Sequence, residues 1–150
     1  MTNVLHLPAR PGAPIACDMR TAADTPDERL AEYRKLFAHA LLRRQRRGQA
    51  VVFAFRATPG TRTQVEDLAR REAACCPFLD YRVETAGGEV SYTITSPERP
   101  DANATLDAFY ALPDQPGSDS AGLLDQLAAH GVRVIEAGPD RGQPSRASGD

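Results

Sequence analysis

LDYRVETAGGEVSYTIT, residues 79–95, carries the pattern from which the fold is read. Leu79, Tyr81 and Val83 alternate with polar residues, and Val90, Tyr92 and Ile94 do the same beyond Gly87-Gly88. Strand side chains point to opposite faces in turn, and paired glycines supply the positive φ of a tight turn. The stretch therefore predicts a β-hairpin with one apolar face.

Working upstream, Pro77 closes a predicted helix that starts at Thr61 or Thr63, each an N-cap with Gln64 or Glu66 in the capping-box position. Pro59-Gly60 turns the chain before it, and residues 49–57 form a strand with Val51, Phe53 and Phe55 on one side. Thr25, Pro26 and Glu28 are the N-cap, first residue and capping-box partner of an earlier helix. Leu30, Tyr33, Phe37, Ala40 and Leu41 carry that helix to about Arg47, and Gly48 stops it. Residues 15–20 predict a short strand. Pro8, Pro11, Gly12 and Pro14 make residues 1–14 a flexible arm.

Downstream of the hairpin, Asp101 or Asn103 caps a helix carrying Leu106, Phe109 and Leu112, which Pro113 ends. A turn-rich linker, 114–120, leads to a short helix with Leu123, Leu124 and Leu127, a stop at Gly131 and a strand over 132–137. Residues 138–150 are Gly, Pro, Ser and charge, which predicts a disordered tail. The expectation is one α+β domain over 15–112, a mainly antiparallel sheet with helices packed on one face, followed by an extension over 113–137.

With 150 residues, 41% hydrophobic and 25% charged, the chain suits a single core. Eighteen Lys and Arg against twenty Asp and Glu, a net charge of -2, leave no broad basic footprint, so neither nucleic acid nor an anionic membrane is an expected partner. No apolar run approaches a membrane span, and no export signal opens the chain. Three cysteines do not make the even framework of a disulfide scaffold, which predicts a reducing cytoplasm.

Those cysteines are the chemical signal. In Glu72-Ala73-Ala74-Cys75-Cys76-Pro77-Phe78-Leu79, the inward stripe begun by Val65 and Leu68 runs on through Glu72 to the two thiols. An ionised carboxylate is costly to bury alone, so Glu72 should be protonated, paired or bound to a cation. With Cys17 as third thiol, Cys75 and Cys76 make a candidate soft-metal site that Glu72 tunes or completes. Adjacent helical residues point about 100° apart, so both thiols share an ion only if the helix frays at Pro77. The plainer alternative is a set of small buried hydrophobes. Zinc would need a fourth ligand from Glu72, Asp80, His39 or His6, and neither Cys-x-x-Cys knuckles nor paired histidines are present. His39 is expected packed or solvated, His6 in the arm and His130 at a helix end, and the adjacent thiols lack the spacing of an oxidoreductase motif. The basic run Arg43-Arg44-Gln45-Arg46-Arg47 is expected in the last turn of its helix, where cations are favoured.

Ile15-Ala16-Cys17, the Leu-Ala-Glu-Tyr-Arg helix, the Glu-x-x-Cys-Cys-Pro-Phe-Leu core, the hairpin and the Pro97 loop resemble a family of small actinobacterial-type proteins. The same module is similar to the C-terminal, effector-like extension of some mercury-resistance-type regulators, over about residues 15–112. That resemblance implies a thiol-rich site from Cys17, Cys75, Cys76 and Glu72 for mercury or another soft ion. The expected ligand is a soft or transition metal ion, mercury, zinc or copper, or a small thiol-reactive molecule. The chain lacks the regulator's winged-helix reader, so transcriptional control would need a separate regulator protein.

The main functional expectation is soft-metal or thiol-reactive ligand binding. The second is an enzyme in which Cys75 or Cys76 is the thiolate and Glu72 the acid or base, as in organomercurial cleavage or a metal-dependent biosynthetic step. The third is an effector-sensing interaction domain. Cys75 and Cys76 lie at a helix C-terminus, where the dipole raises thiol pKa, which favours ligation over metal-free covalent catalysis.

Overall fold

A computed structural model describes residues 3–114 and 121–135. The predicted hairpin is present as β5 (Asp80–Ala86) and β6 (Glu89–Thr95), turning on Gly87 and Gly88, both at positive φ. It forms the centre of an antiparallel sheet. β6 pairs with β4 (Ala50–Arg56) and β5 with β1 (Asn3–Leu7), while β3 (Leu41–Arg47) adds to β4, giving the order β1-β5-β6-β4-β3.

Three helices cover one face: α1 (Pro26–Ala40), α2 (Thr61–Cys75) and α3 (Pro100–Ala111). Val51, Phe53, Phe55, Tyr81, Val83, Val90, Tyr92 and Ile94 point toward them and are almost wholly buried. Phe37 of α1 seats on Phe53 and Phe55, with ring centroids 5.1 and 6.1 Å away. The opposite face carries the partly exposed Val52, Glu84, Ser91 and Thr93. The molecule is thus α+β, as the alternation and the helical stripes imply.

A second layer lies beside the helices. β2 (Ala16–Asp18) leaves the main sheet and pairs in parallel with β7 (Arg133–Ile135), and α4 (Ala121–Ala129) packs against α3. Ala108, Leu127 and Val132 form a small core there, with Ile15, Leu123 and Val134 against it. The described part of the extension, including the helix and the Gly131 stop, is therefore built onto the domain. Residues 115–120 of the linker, 136–137 of the last strand and the tail over 138–150 lie outside the described residues.

Several local expectations are corrected. The first helix starts as predicted, with Thr25 and Glu28 exchanging both capping-box hydrogen bonds, but it ends at Ala40 rather than near Arg47. Leu41 is already extended, and the chain passes straight into β3 because that segment completes the antiparallel ladder with β4 through a turn at Gly48, φ +54°. The basic run is therefore an edge strand. Arg43 pairs with Glu89, Arg44 with Asp114 and the Tyr110 carbonyl, and Arg46 with Asp107.

At the start of α2, Gly60 at φ +88° is the N-cap and no side chain caps the helix; Thr61 is its first residue, buried, with its hydroxyl on Thr58. The cap of α3 is Arg99, ahead of Asp101 and Asn103, because Pro100 takes the first helical position. Residues 3–7 of the predicted arm form β1, since Leu5 and Leu7 alternate inward onto the core before the first breaker, Pro8.

Candidate functional site

The site is built where α2 ends. Cys75 is the last helical residue and Cys76 the C-cap, with φ −122° and ψ 71°, so the two thiols leave the helix in different directions. The hydroxyl of Tyr81 lies within hydrogen-bond reach of the Glu72 and Cys76 carbonyls at 3.3 and 3.1 Å, adding to the backbone N–H groups of Cys76 and Leu79 that these carbonyls already accept. Cys76 turns toward β2 and forms a disulfide with Cys17. This overturns the expectation of three free thiols: a pair 59 residues apart is oxidised, and Cys75, 3% exposed, is the only free cysteine.

Glu72 is buried one turn before Cys76, as its place on the stripe predicts. Its Oε1 accepts from Arg29 Nη1 at 3.1 Å and its Oε2 from the Tyr33 hydroxyl at 2.8 Å, and the latter lies 3.2 Å from the Tyr92 hydroxyl. Arg29 is the centre of the cluster. Its Nε and Nη2 hold both oxygens of Asp24, at 2.9 and 2.6 Å, and Nη1 also reaches Cys75 Sγ at 3.6 Å. Arg71 adds a second cation to Asp24 at 2.9 Å.

Burial pushes the Glu72 carboxyl above its ordinary value, against the opposing pull of Arg29 and Tyr33. Burial likewise raises the Cys75 thiol, only partly offset by Arg29. The Arg29 contact instead holds Asp24 below the usual carboxylate range, with Arg71 helping. Cys75 is thus a buried thiol beside a guanidinium, whose charge favours the thiolate against the effect of burial.

These groups line a cavity of about 100 Å³ between the helices and the β2–β7–α4 layer. Cys17, Cys75, Cys76, Glu72, Arg29 and Tyr33 all contribute to its wall. His6 and Asp80 pair with each other at 2.8 Å on the exposed side of the sheet; neither they nor the exposed His39 and His130 line the cavity. In the disulfide form the predicted donor set does not fit a metal ion, because two sulfurs are spent on each other and both Glu72 oxygens on Arg29 and Tyr33. Among the described residues, no group of three His, Cys, Asp or Glu side chains stands together so as to hold a metal.

The sequence reading missed Arg29, Asp24 and Tyr33 as members of the site. Arg29 had a signal: it lies four residues before Tyr33 on the inward stripe of α1, and an inward carboxylate calls for an inward cation. Comparison with protein-family models, with curated proteins and with solved structures finds no match for this chain.

Proposed function

We propose that this chain captures a soft, thiol-reactive ligand, either a soft metal ion such as mercury or an electrophilic small molecule, through the reduced thiols of Cys17, Cys75 and Cys76. The observation that carries this reading is that the sulfurs of the adjacent Cys75 and Cys76 and of Cys17, far away in the sequence, line one small cavity with a guanidinium beside them. Sulfur is the ligand atom that soft ions and soft electrophiles prefer.

Capture requires the open form. Two equivalents of a cellular thiol reduce the Cys17–Cys76 disulfide, delivering two electrons and two protons and leaving as their own disulfide. We place the working form in the cytoplasm, where such thiols are abundant. No helix among the described residues is long and apolar enough to cross a membrane, which accords with that placement. Each thiol that binds gives up its proton, so affinity rises with pH. Arg29 Nη1, at 3.6 Å from Cys75 Sγ, favours the resulting thiolate.

A second reading, an enzyme that cleaves a carbon–metal bond, draws on Glu72, the carboxyl that shares the cavity wall with the three sulfurs and would serve as the acid toward a leaving carbanion. Release of the hydrocarbon from an organomercurial, lost in Glu72→Gln, would support it. The likeness to regulator extensions adds a separate regulator protein as a partner, which co-purification from its host would test.

Native mass spectrometry of the reduced protein titrated with Hg(II), Cu(I), Zn(II) or As(III) tests the main reading. One tightly held ion, lost in Cys17→Ser and in Cys76→Ser, is expected. Retention in both variants, or no retained ion in the parent, would contradict it.

A further inference from the structure

The sheet face turned away from the helices is covered by no helix among the described residues. Residues directly opposed in a ladder share a face, so the register gives its layout. One row runs Glu84, Ser91, Ala54 and Arg43 across β5, β6, β4 and β3, and a parallel row runs Asp80, Thr95, Ala50 and Arg47. Thr93 and Val52 lie between the two rows, on the middle strand β6 and its neighbour β4. Small side chains thus hold the centre and charges the flanks, the arrangement of an interface with a polar rim. Arg47, Arg82 and Glu84 have no side-chain partner among the described residues.

We propose that this face docks a second copy of the chain, in a homodimer whose two-fold axis runs along β6. Two identical sheets packed face to face are related by an axis in the plane between them, lying either across the strands or along them. An axis across the strands through Thr93 exchanges the two rows. Glu84 then sits over the second copy's Asp80 and Arg43 over its Arg47, like charge on like. An axis along β6 keeps each row and exchanges its ends, which brings Glu84 toward the second copy's Arg43 and Arg47 toward its Asp80. Charge selects the second arrangement. Arg43 also holds Glu89 of its own chain, but stays 55% exposed there, and Asp80 likewise holds His6 at the surface. With that axis Thr93 meets its own copy, and β5 lies over β4, so the stem of Arg82 covers Val52. A face five strands wide and about 24 Å long offers about 550 Å² per copy, about 1,100 Å² in all, which just clears what a specific interface needs and predicts a concentration-dependent dimer.

Sedimentation velocity of the full chain over a range of protein concentrations tests this, and no cysteine is altered, so failure here and failure of thiol capture are separate results. The parent should pass from monomer to dimer as concentration rises. Thr93→Arg sets two guanidinium groups against each other on the axis and should raise the dissociation constant about a hundredfold, with the melting temperature of the monomer unchanged. Glu84→Arg and Arg43→Glu should each weaken self-association, since either one makes two like-charge contacts in its own homodimer. Mixing these two variants in equal amounts should restore the dimer, because both contacts of the mixed pair are then of opposite sign. A parent that stays monomeric at every concentration, which would leave the face to another occupant, a dimer that survives Thr93→Arg, or no recovery on mixing would overturn the proposal.

Discussion

Arg29 is 5% exposed and holds two carboxylates, Asp24 and Glu72, while touching the free thiol of Cys75. Removing one member of a buried ionic cluster leaves the others uncompensated, typically at a cost of about 3–5 kcal/mol. Arg29→Met should therefore lower unfolding stability by that amount in urea titration, and a loss below about 1 kcal/mol would show that the cluster is not what holds α1 to α2. Asp24 gives the pH dependence its sign. Its folded value is depressed by Arg29, so its contribution is complete above the ordinary Asp value of about 4 and is lost as pH falls through the depressed one. Asp24→Asn should be less stable at pH 7 and should lose less on acidification than the parent; parallel losses would contradict this. Glu72 works in the opposite sense, because its raised value makes ionisation cost stability as pH climbs past the ordinary glutamate range.

At the scale of elements, the disulfide ties β2, which among the described residues pairs only with β7, to the end of α2. Closing a loop of 59 residues removes unfolded-chain entropy worth about 4 kcal/mol. Cys17→Ser and Cys76→Ser should each lose about that much in denaturant unfolding without reductant, whereas Cys75→Ser, which breaks no covalent tie, should lose far less. Equal losses in all three would place the stabilising role elsewhere. What was legible in the chain follows from range. The hairpin over 80–95 declares itself through a period of two and a Gly-Gly turn, and α1 through its capping box. β3 was hidden: Leu, Arg and Gln are good helix formers, Gly48 serves equally as helix stop or hairpin turn, and only pairing with β4 decides between them. Glu72 was readable as an inward carboxylate, and Cys17 was legible as a member of the cysteine set. Its bond to Cys76 depends on a contact across the chain that no local spacing encodes.

For the whole molecule, the cavity lies between a thick α/β layer and a thin one made of β2, β7 and α4, joined by apolar contacts and one covalent bond. Reduction should loosen the thin layer first. Amide exchange at Cys17, Val134 and Ile135 should speed up in the reduced protein while Phe53, Val83 and Tyr92 in the central strands stay protected, and uniform acceleration would mean that the two layers unfold together. The proposed capture depends on that opening. The most direct measurement is the binding stoichiometry of phenylarsine oxide, a trivalent arsenical that bridges two thiols, by intact-protein mass spectrometry of the oxidised chain, the reduced chain and reduced Cys17→Ser. One adduct on the reduced chain, and none on the oxidised chain or the variant, is the predicted result. An adduct of equal yield on reduced Cys17→Ser would show that Cys17 takes no part, and would contradict capture at a site it shares with Cys76.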